Sequence, residues 1–145
     1  MRNWAKGTAA VALMLCAVAL CLTACTSESK VGEWDPMKWE VVTPMAKAKN
    51  GAFNVSSSGS TFSVVCRNYA GFWFSDIQVD GKYIERDGKD IYQLDCEQFS
   101  AKIQGNKLTI DFKANESTQK RNITISVTAG DVFDTFCFKQ LAQQK

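Results

Sequence analysis

The feature that most limits the fold is a regular alternation of apolar and polar residues beyond residue 60. Leu108, Ile110 and Phe112 alternate with Lys, Thr and Asp residues along a single run. This period of two predicts a β-strand with one buried face and one wet face. In the last such run, we expect Phe133, Phe136 and Phe138 to face the core. The predicted strands span 61–67, 72–79, 98–104, 107–113, 121–129 and 133–140.

Turn signals separate these runs. They are Asp80-Gly81, Asp87-Gly88, Gly105-Asn106 and Gly130-Asp131, in which Gly, Asn and Asp tolerate positive φ. Beyond the N-terminus no window carries an apolar stripe of helical period over three turns. Short strands joined by hairpins, without helices, predict an all-β protein. We expect an Ig-like antiparallel β-sandwich of about seven strands.

The N-terminus has the three parts of an export signal. Arg2 and Lys6 precede an apolar run that ends in Leu22-Thr23-Ala24-Cys25. The run is short for a transmembrane helix, which needs roughly 20 apolar residues. The last four residues match the bacterial lipobox. We therefore expect residues 1–24 to be a lipoprotein signal peptide and Cys25 to receive the lipid. An ordinary secretory signal with an incidental cysteine is the alternative.

Charge and composition after the signal limit the partners. The chain has 17 basic and 15 acidic residues, and two of the basic ones, Arg2 and Lys6, leave with the signal. The mature chain is then near neutral, so nothing supports nucleic-acid binding. Residues 25–37 are predicted to be the lipidated N-terminus and a flexible tether, and residues 38–145 the sandwich domain. Trp34 and Trp39 are interpreted as residues that fasten this tether to the domain.

Three cysteines remain in the mature chain besides Cys25. An exported protein favours disulfides, yet an odd number leaves at least one thiol free or paired between chains. The alternation places Cys66 inward and Cys137 outward, which argues against joining these two. Cys96 with Cys137 is the candidate disulfide, and buried free thiols are the alternative.

The sequence gives little support for a catalytic site or a metal site. The chain has no histidine, which excludes Ser-His-Asp and Cys-His catalysis and histidine zinc sites. The cysteines lack the close spacing of a thiolate metal site. Residues 80–90 are rich in Asp, but Lys82, Arg86 and Lys89 interleave with the acids, so we interpret them as solvated hairpin turns rather than a calcium loop. We expect no enzyme, no metal and no cofactor.

The last third of the chain has a distinctive series of motifs. They are Asn115-Glu116-Ser117-Thr118, the strand from Arg121 to Val127, the Gly130-Asp131 turn and the closing Phe136-Cys137-Phe138-Lys139-Gln140. Earlier in the chain come a glycine-led strand from Gly59 to Val65, and Asn68 followed by Trp73. With these features the chain resembles BACON domains, the Ig-like modules of Bacteroidetes envelope proteins, over about residues 56–140. The resemblance implies a lipoprotein module that binds glycans or mucin, or that acts as a spacer.

Aromatic side chains are the candidate ligand-binding groups, because sugar rings stack on exposed aromatic faces. Neighbouring strand residues point to opposite sides, so Phe72, Trp73 and Phe74 do not share a face. Our preferred interpretation places Trp73 in the core and the phenylalanines under loops; in the alternative, Trp73 lies outside. The candidates are Tyr69, Trp73, Tyr83 and Tyr92, of which Tyr83 and Tyr92 are the better surface residues.

Two functions therefore remain open. The first is a non-catalytic, lipid-anchored envelope module that binds host mucin or dietary polysaccharide. The second is a structural spacer or an accessory lipoprotein of an outer-membrane complex, without glycan affinity of its own. Thr26, rather than Asp, follows the lipidated cysteine, which favours the outer membrane. The sequence leaves open whether the protein faces the cell surface or the periplasm.

Overall fold

Ten β-strands make up the regular structure of the residues that the computed structural model describes, 33–86 and 90–145. These residues include no helix that could cross a membrane. The segment from Trp34 to Lys145 forms one compact unit. The strands are β1 Trp39–Val41, β2 Phe53–Val55, β3 Ser60–Cys66, β4 Trp73–Val79, β5 Lys82–Tyr83, β6 Gln93–Asp95, β7 Phe99–Gln104, β8 Lys107–Phe112, β9 Arg121–Ala129 and β10 Val132–Gln140.

The strands form two five-stranded sheets. One has the order β1-β3-β8-β7-β6 and the other β2-β10-β9-β4-β5. All pairs are antiparallel except β2 with β10. Strands β3, β8 and β7 take the places of B, E and D in an immunoglobulin domain, and β4, β9 and β10 those of C, F and G. The predicted Ig-like sandwich is confirmed. The strand number exceeds the predicted seven because β1, β2, β5 and β6 have only two or three residues each, too few for alternation to reveal.

The core lies between the sheets and is built from the alternating apolar residues. Phe62 is fully buried, and its ring centroid lies 4.6 Å from that of Phe53 and 5.1 Å from that of Phe138. Ile110 and Ile125 on the facing strands are also fully buried. Each such side chain contributes roughly 1.5–3 kcal/mol relative to exposure. This packing fixes which face of each strand points outward.

The last residues of the predicted tether belong to the domain. Tyr69 donates its hydroxyl hydrogen to Asp35 O at 2.6 Å, and Asn68 Nδ2 donates to Pro36 O at 2.9 Å. Lys38 N donates back to Asn68 Oδ1, and Met37 is buried. The loop after β3 therefore holds the chain from residue 35 onward.

Trp39 secures this segment, as the sequence suggested. Its ring packs edge-on against Phe72, at 5.1 Å between centroids, and against Phe136 at 4.9 Å. Its Nε1 donates to Asp134 Oδ2 at 2.7 Å. Trp34, in contrast, is 64% exposed and makes no comparable contact in the core.

Two buried amides lock the opposite end of the sandwich. Gln140 Nε2 donates to Lys113 O at 2.7 Å and to Ser56 O at 3.2 Å, and its Oε1 accepts from Arg121. Asn115 Nδ2 donates to the carbonyl oxygens of residues 119 and 141. Buried amides with satisfied partners specify one packing arrangement. They join the end of β10 to the loops before β3 and after β8.

Gly59 explains why glycine must precede β3. Its φ is +90°, and a Cβ placed there would lie 2.2 Å from Phe112 O on the neighbouring strand. Glycine is required here twice over, by its left-handed backbone and by the close approach of β8.

Candidate functional site

The outer surface of the β2-β10-β9-β4-β5 sheet carries aromatic side chains. Phe133 on β10 and Trp73 on β4 both pair with Thr128 of β9. Directly paired residues lie on the same face of a sheet, so the two rings flank Thr128 two strand spacings apart, roughly 9.5 Å. Phe133 is 67% exposed, and Trp73 is half-buried.

Hydroxyl and amide groups continue this surface away from the two rings. Ser126 Oγ and Thr135 Oγ1 lie 2.9 Å apart. Thr124 pairs with Gln78, which pairs in turn with Tyr83 on the edge strand β5. Tyr83 is 69% exposed. We call this surface the aromatic face; it comprises Trp73, Gln78, Tyr83, Thr124, Ser126, Phe133 and Thr135.

The preferred prediction for Trp73 is wrong, and its alternative is correct. Phe72 and Phe74 are each only 1% exposed, so this pair fills the core and Trp73 points outward. The core position near the start of β4 is taken by Trp39, whose ring lies against Phe72. Because β1 is very short, its contribution could not be read from the alternation.

The sequence analysis also misplaced Phe133. It grouped Phe133 with Phe136 and Phe138 as core residues, but an odd spacing separates it from both. In the structure Val132, Phe136 and Phe138 face inward, and Phe133 faces outward. Strict counting of the period of two from Phe136 would have placed Phe133 outward and made it a fifth aromatic ligand candidate.

The remaining two candidates lie away from the aromatic face. Tyr69 is half-buried against the core, and its hydroxyl is bound to Asp35 O, so it holds the N-terminal segment. Tyr92 is 48% exposed but precedes β6, a strand of the other sheet. The structure therefore brings together Trp73 and Tyr83 of the four predicted residues.

A β-bulge interrupts β4 beside Tyr83. Phe74 pairs with Val127 and Ile77 with Ile125, so Ser75 and Asp76 together oppose a single residue of β9. The extra residue changes the parity of the strand, so Ile77 and Val79, each an odd number of positions after Phe74, face inward like Phe74. Bulges of this kind redirect side chains and occur next to functional sites.

A cleft of about 290 Å³ lies at this bulge, on the edge of the sheet. Arg86 spans it, donating from Nη1 to Phe74 O at 3.1 Å and from Nη2 to Ser75 O at 2.8 Å. Asp90 Oδ1 accepts from the backbone N–H groups of residues 92 and 93. We call this the bulge cleft; its lining includes Ser75, Asp76, Tyr83, Ile84, Arg86 and Asp90.

The acidic stretch at 80–90 is only partly described, since residues 87–89 lie outside the described ranges. Asp80 Oδ1 accepts from Asn122 N at 2.7 Å, and Asp90 caps the turn before β6. Across residues 33–86 and 90–145 there is no group of three or more acidic or cysteine side chains that could hold a metal ion.

The three cysteines in the described part of the chain, Cys66, Cys96 and Cys137, are free thiols, so the candidate Cys96–Cys137 disulfide is not formed. Cys66 is buried and Cys137 is exposed, as the alternation predicted. Cys137 lies on the outer surface of one sheet, whereas Cys96 follows β6 in the other. Burial, together with the nearby Asp95 carboxylate, raises the pKa of the Cys96 thiol above its ordinary value, and Lys113 offsets part of this rise.

The predicted signal peptide and the lipidation site Cys25 lie outside the described residues. Their assignment therefore rests on the sequence. The same holds for residues 25–32 of the predicted tether.

Comparison with known proteins identifies a relative of the same fold. The NMR structure of a protein from Bacteroides thetaiotaomicron matches with 35% sequence identity and a TM-score of 0.68, covering 79% of this chain and 93% of that one. The chain belongs to the family of this protein. The two proteins thus share the fold described above.

Two titin structures match more distantly. Titin domain M7 aligns with 15% identity and a TM-score of 0.44, and a chimeric titin Z1Z2 protein with 13% identity and a TM-score of 0.40. Each alignment covers 77% of this chain and all of the titin chain. No protein-family model and no curated protein matches the chain.

Proposed function

We propose that the protein is a lipid-anchored, non-catalytic glycan-binding module of the bacterial envelope, similar to BACON domains. The lipobox ending at Cys25 supports the anchor. The relative comes from Bacteroides thetaiotaomicron, which belongs to the bacterial group in which BACON domains occur, so it supports the resemblance. An outer-membrane position follows from Thr26 after the lipidated cysteine, with the cell surface and the periplasm both open.

The observation that carries glycan binding is the aromatic face. It presents Phe133 and Trp73 on one level and Tyr83 at the sheet edge, with hydroxyl and amide groups between them. Sugars offer C–H-rich faces for aromatic stacking and hydroxyls for hydrogen bonds, so they match both elements of this surface. Tyrosine and tryptophan combine an apolar ring with a hydrogen-bonding group, so they suit contacts that are partly apolar and partly solvated.

A glycan array followed by calorimetry tests the proposal. The mature chain with Cys25→Ser, purified in soluble form, is screened against mucin and plant glycans. F133A and Y83A remove exposed rings from the aromatic face, and each is expected to lower affinity about tenfold, equivalent to about 1.4 kcal/mol. Y92A is the matched control, since it removes an exposed ring just before β6 of the other sheet.

The outcomes separate the two functions. Loss of affinity in F133A and Y83A, with Y92A unchanged, supports glycan binding at the aromatic face. Absence of binding to every glycan on the array contradicts it, and the spacer or accessory role then becomes the better explanation. Co-purification of a fixed envelope partner after mild detergent extraction would add to that second explanation.

A further inference from the structure

The bulge cleft contains an unusual unpaired group. Ser75 Oγ is a buried side-chain oxygen with no hydrogen-bond partner, and it stands alone in this respect among the described residues. Leaving such a group unpaired costs about 1–3 kcal/mol. Unpaired buried groups in native proteins call for an explanation, such as a ligand or a water. Ser75 belongs to the bulge and lines the cleft.

The charges around the cleft favour a ligand that donates hydrogen bonds from its hydroxyl groups. Asp76 and Asp90 both line it, and carboxylates accept strong hydrogen bonds from hydroxyls. Among the described residues that line the cleft, Arg86 is the basic one, and it already donates to two backbone carbonyls at the bulge. At these residues an anionic ligand would therefore meet two carboxylates and one committed guanidinium.

The size and position of the cleft suit one sugar unit. Its volume of about 290 Å³ lies at the lower end of the range of small-molecule sites, about 300–1,000 Å³, which suits a single sugar unit. Tyr83 forms one wall of the cleft and also belongs to the aromatic face. A glycan seated in the cleft would thus continue directly onto that face.

We propose that the bulge cleft binds the terminal, uncharged sugar of the glycan, so that the protein selects neutral chain ends over acidic ones. This inference rests on the proposed glycan-binding function and names its ligand class. Asp76 accepts hydrogen bonds from the sugar hydroxyls, and Ser75 Oγ, which is buried in the unliganded protein, turns towards the sugar to gain its missing partner. Tyr83 supports the ring, and the following sugars lie across the aromatic face.

Paired glycans test the selection directly. The probes are galactose-ended mucin oligosaccharides with and without a sialic acid cap, and xylo-oligosaccharides with and without a terminal glucuronic acid. The mature chain is expected to bind the neutral member of a pair at least about tenfold more tightly, a difference of about 1.4 kcal/mol. Equal or tighter binding of the acidic member would overturn the inference.

Two variants place the effect at the cleft. D76N is expected to lower affinity for the neutral probe about tenfold, whereas the exposed neighbour variant E85Q leaves it unchanged. S75A is expected to leave the midpoint of urea unfolding unchanged or raised, because the hydroxyl has no partner to lose. S75A is nevertheless expected to weaken glycan binding, which a purely structural role would not explain.

The failure of this inference is distinct from the failure of the proposed function. If F133A abolishes binding while D76N and S75A bind like the parent, glycans bind at the aromatic face and the cleft is not their end site. If neither member of any pair binds, the glycan-binding function itself is wrong.

Discussion

Replacing Gln140 by Leu tests what holds the sandwich closed at the end of β10. Gln140 is fully buried, and its amide makes three hydrogen bonds, two donated to loop carbonyls and one accepted from Arg121. Leucine has a similar volume and fills the site without a large cavity. The substitution therefore isolates the hydrogen bonds from the packing.

The expected loss follows from these three bonds. Each contributes about 1 kcal/mol net, so Q140L is expected to lower the free energy of unfolding by about 3 kcal/mol. For a domain of this size, that change lowers Tm on the order of 10 °C. Urea titration of the mature chain gives the free energy, and an unchanged m-value shows that the unfolded state has not changed.

Q104L is the matched control, since Gln104 ends β7 with an exposed side chain. It is expected to change stability by less than about 0.5 kcal/mol. If Q140L lowers the free energy of unfolding by less than about 1 kcal/mol, the net contribution of one hydrogen bond, the buried amide does not lock the two loops and the reasoning is refuted.

Two further predictions concern the backbone and the thiols. G59A is expected to destabilise the protein by about 2 kcal/mol more than G51A, because both glycines have positive φ but a Cβ at Gly59 alone meets a backbone oxygen; equal losses in urea unfolding would contradict this. Iodoacetamide labelling followed by mass spectrometry is expected to modify Cys137 first, Cys96 slowly and Cys66 on unfolding, because thiolate is the reactive form and Cys96 has a raised pKa. Raising the pH should speed labelling of Cys96, and prompt labelling of Cys66 in the folded protein would count against the buried placement.

The long strands could be predicted from the sequence because each has a full alternating pattern. Strands β3, β7, β8, β9 and β10 fall within a residue or two of their predicted ranges. Their burial follows the period of two, as in β8, where Leu108, Ile110 and Phe112 are buried and their neighbours are not. Together these strands were sufficient to predict the Ig-like sandwich.

The site could be predicted only in part, since it depends on features that alternation does not encode. The bulge at Ser75 and Asp76 shifts the parity of β4 halfway along its length. The outward position of Trp73 depends on Trp39, which fills the core from a strand of three residues. The pairing with β9 that defines the bulge and the packing of Trp39 both involve residues distant in sequence, so the alternation around residue 73 left both orientations of Trp73 open.

Three of the residues behind the resemblance to BACON domains have structural roles here. Asn115 and Gln140 join loops at one end of the sandwich, and Gly59 permits the close approach of β8. Such residues are required by the fold whatever the ligand. The resemblance is therefore informative about architecture, and ligand specificity has to be sought in the aromatic face and the bulge cleft.

The hydrogen-bonded N-terminal segment also has a mechanical consequence. A pull on the chain at Trp34, against a ligand held on the aromatic face, first loads residues 35–41. The ladder between β1 and β3 has only three residue pairs, and antiparallel hydrogen bonds lie across the strand, so a force along it shears them together. Release of Trp39 from its pocket would free seven residues, whose fully extended length is roughly 25 Å. The remaining strands would stay paired, so under force the N-terminal segment would unfold and extend before the binding surface is disturbed.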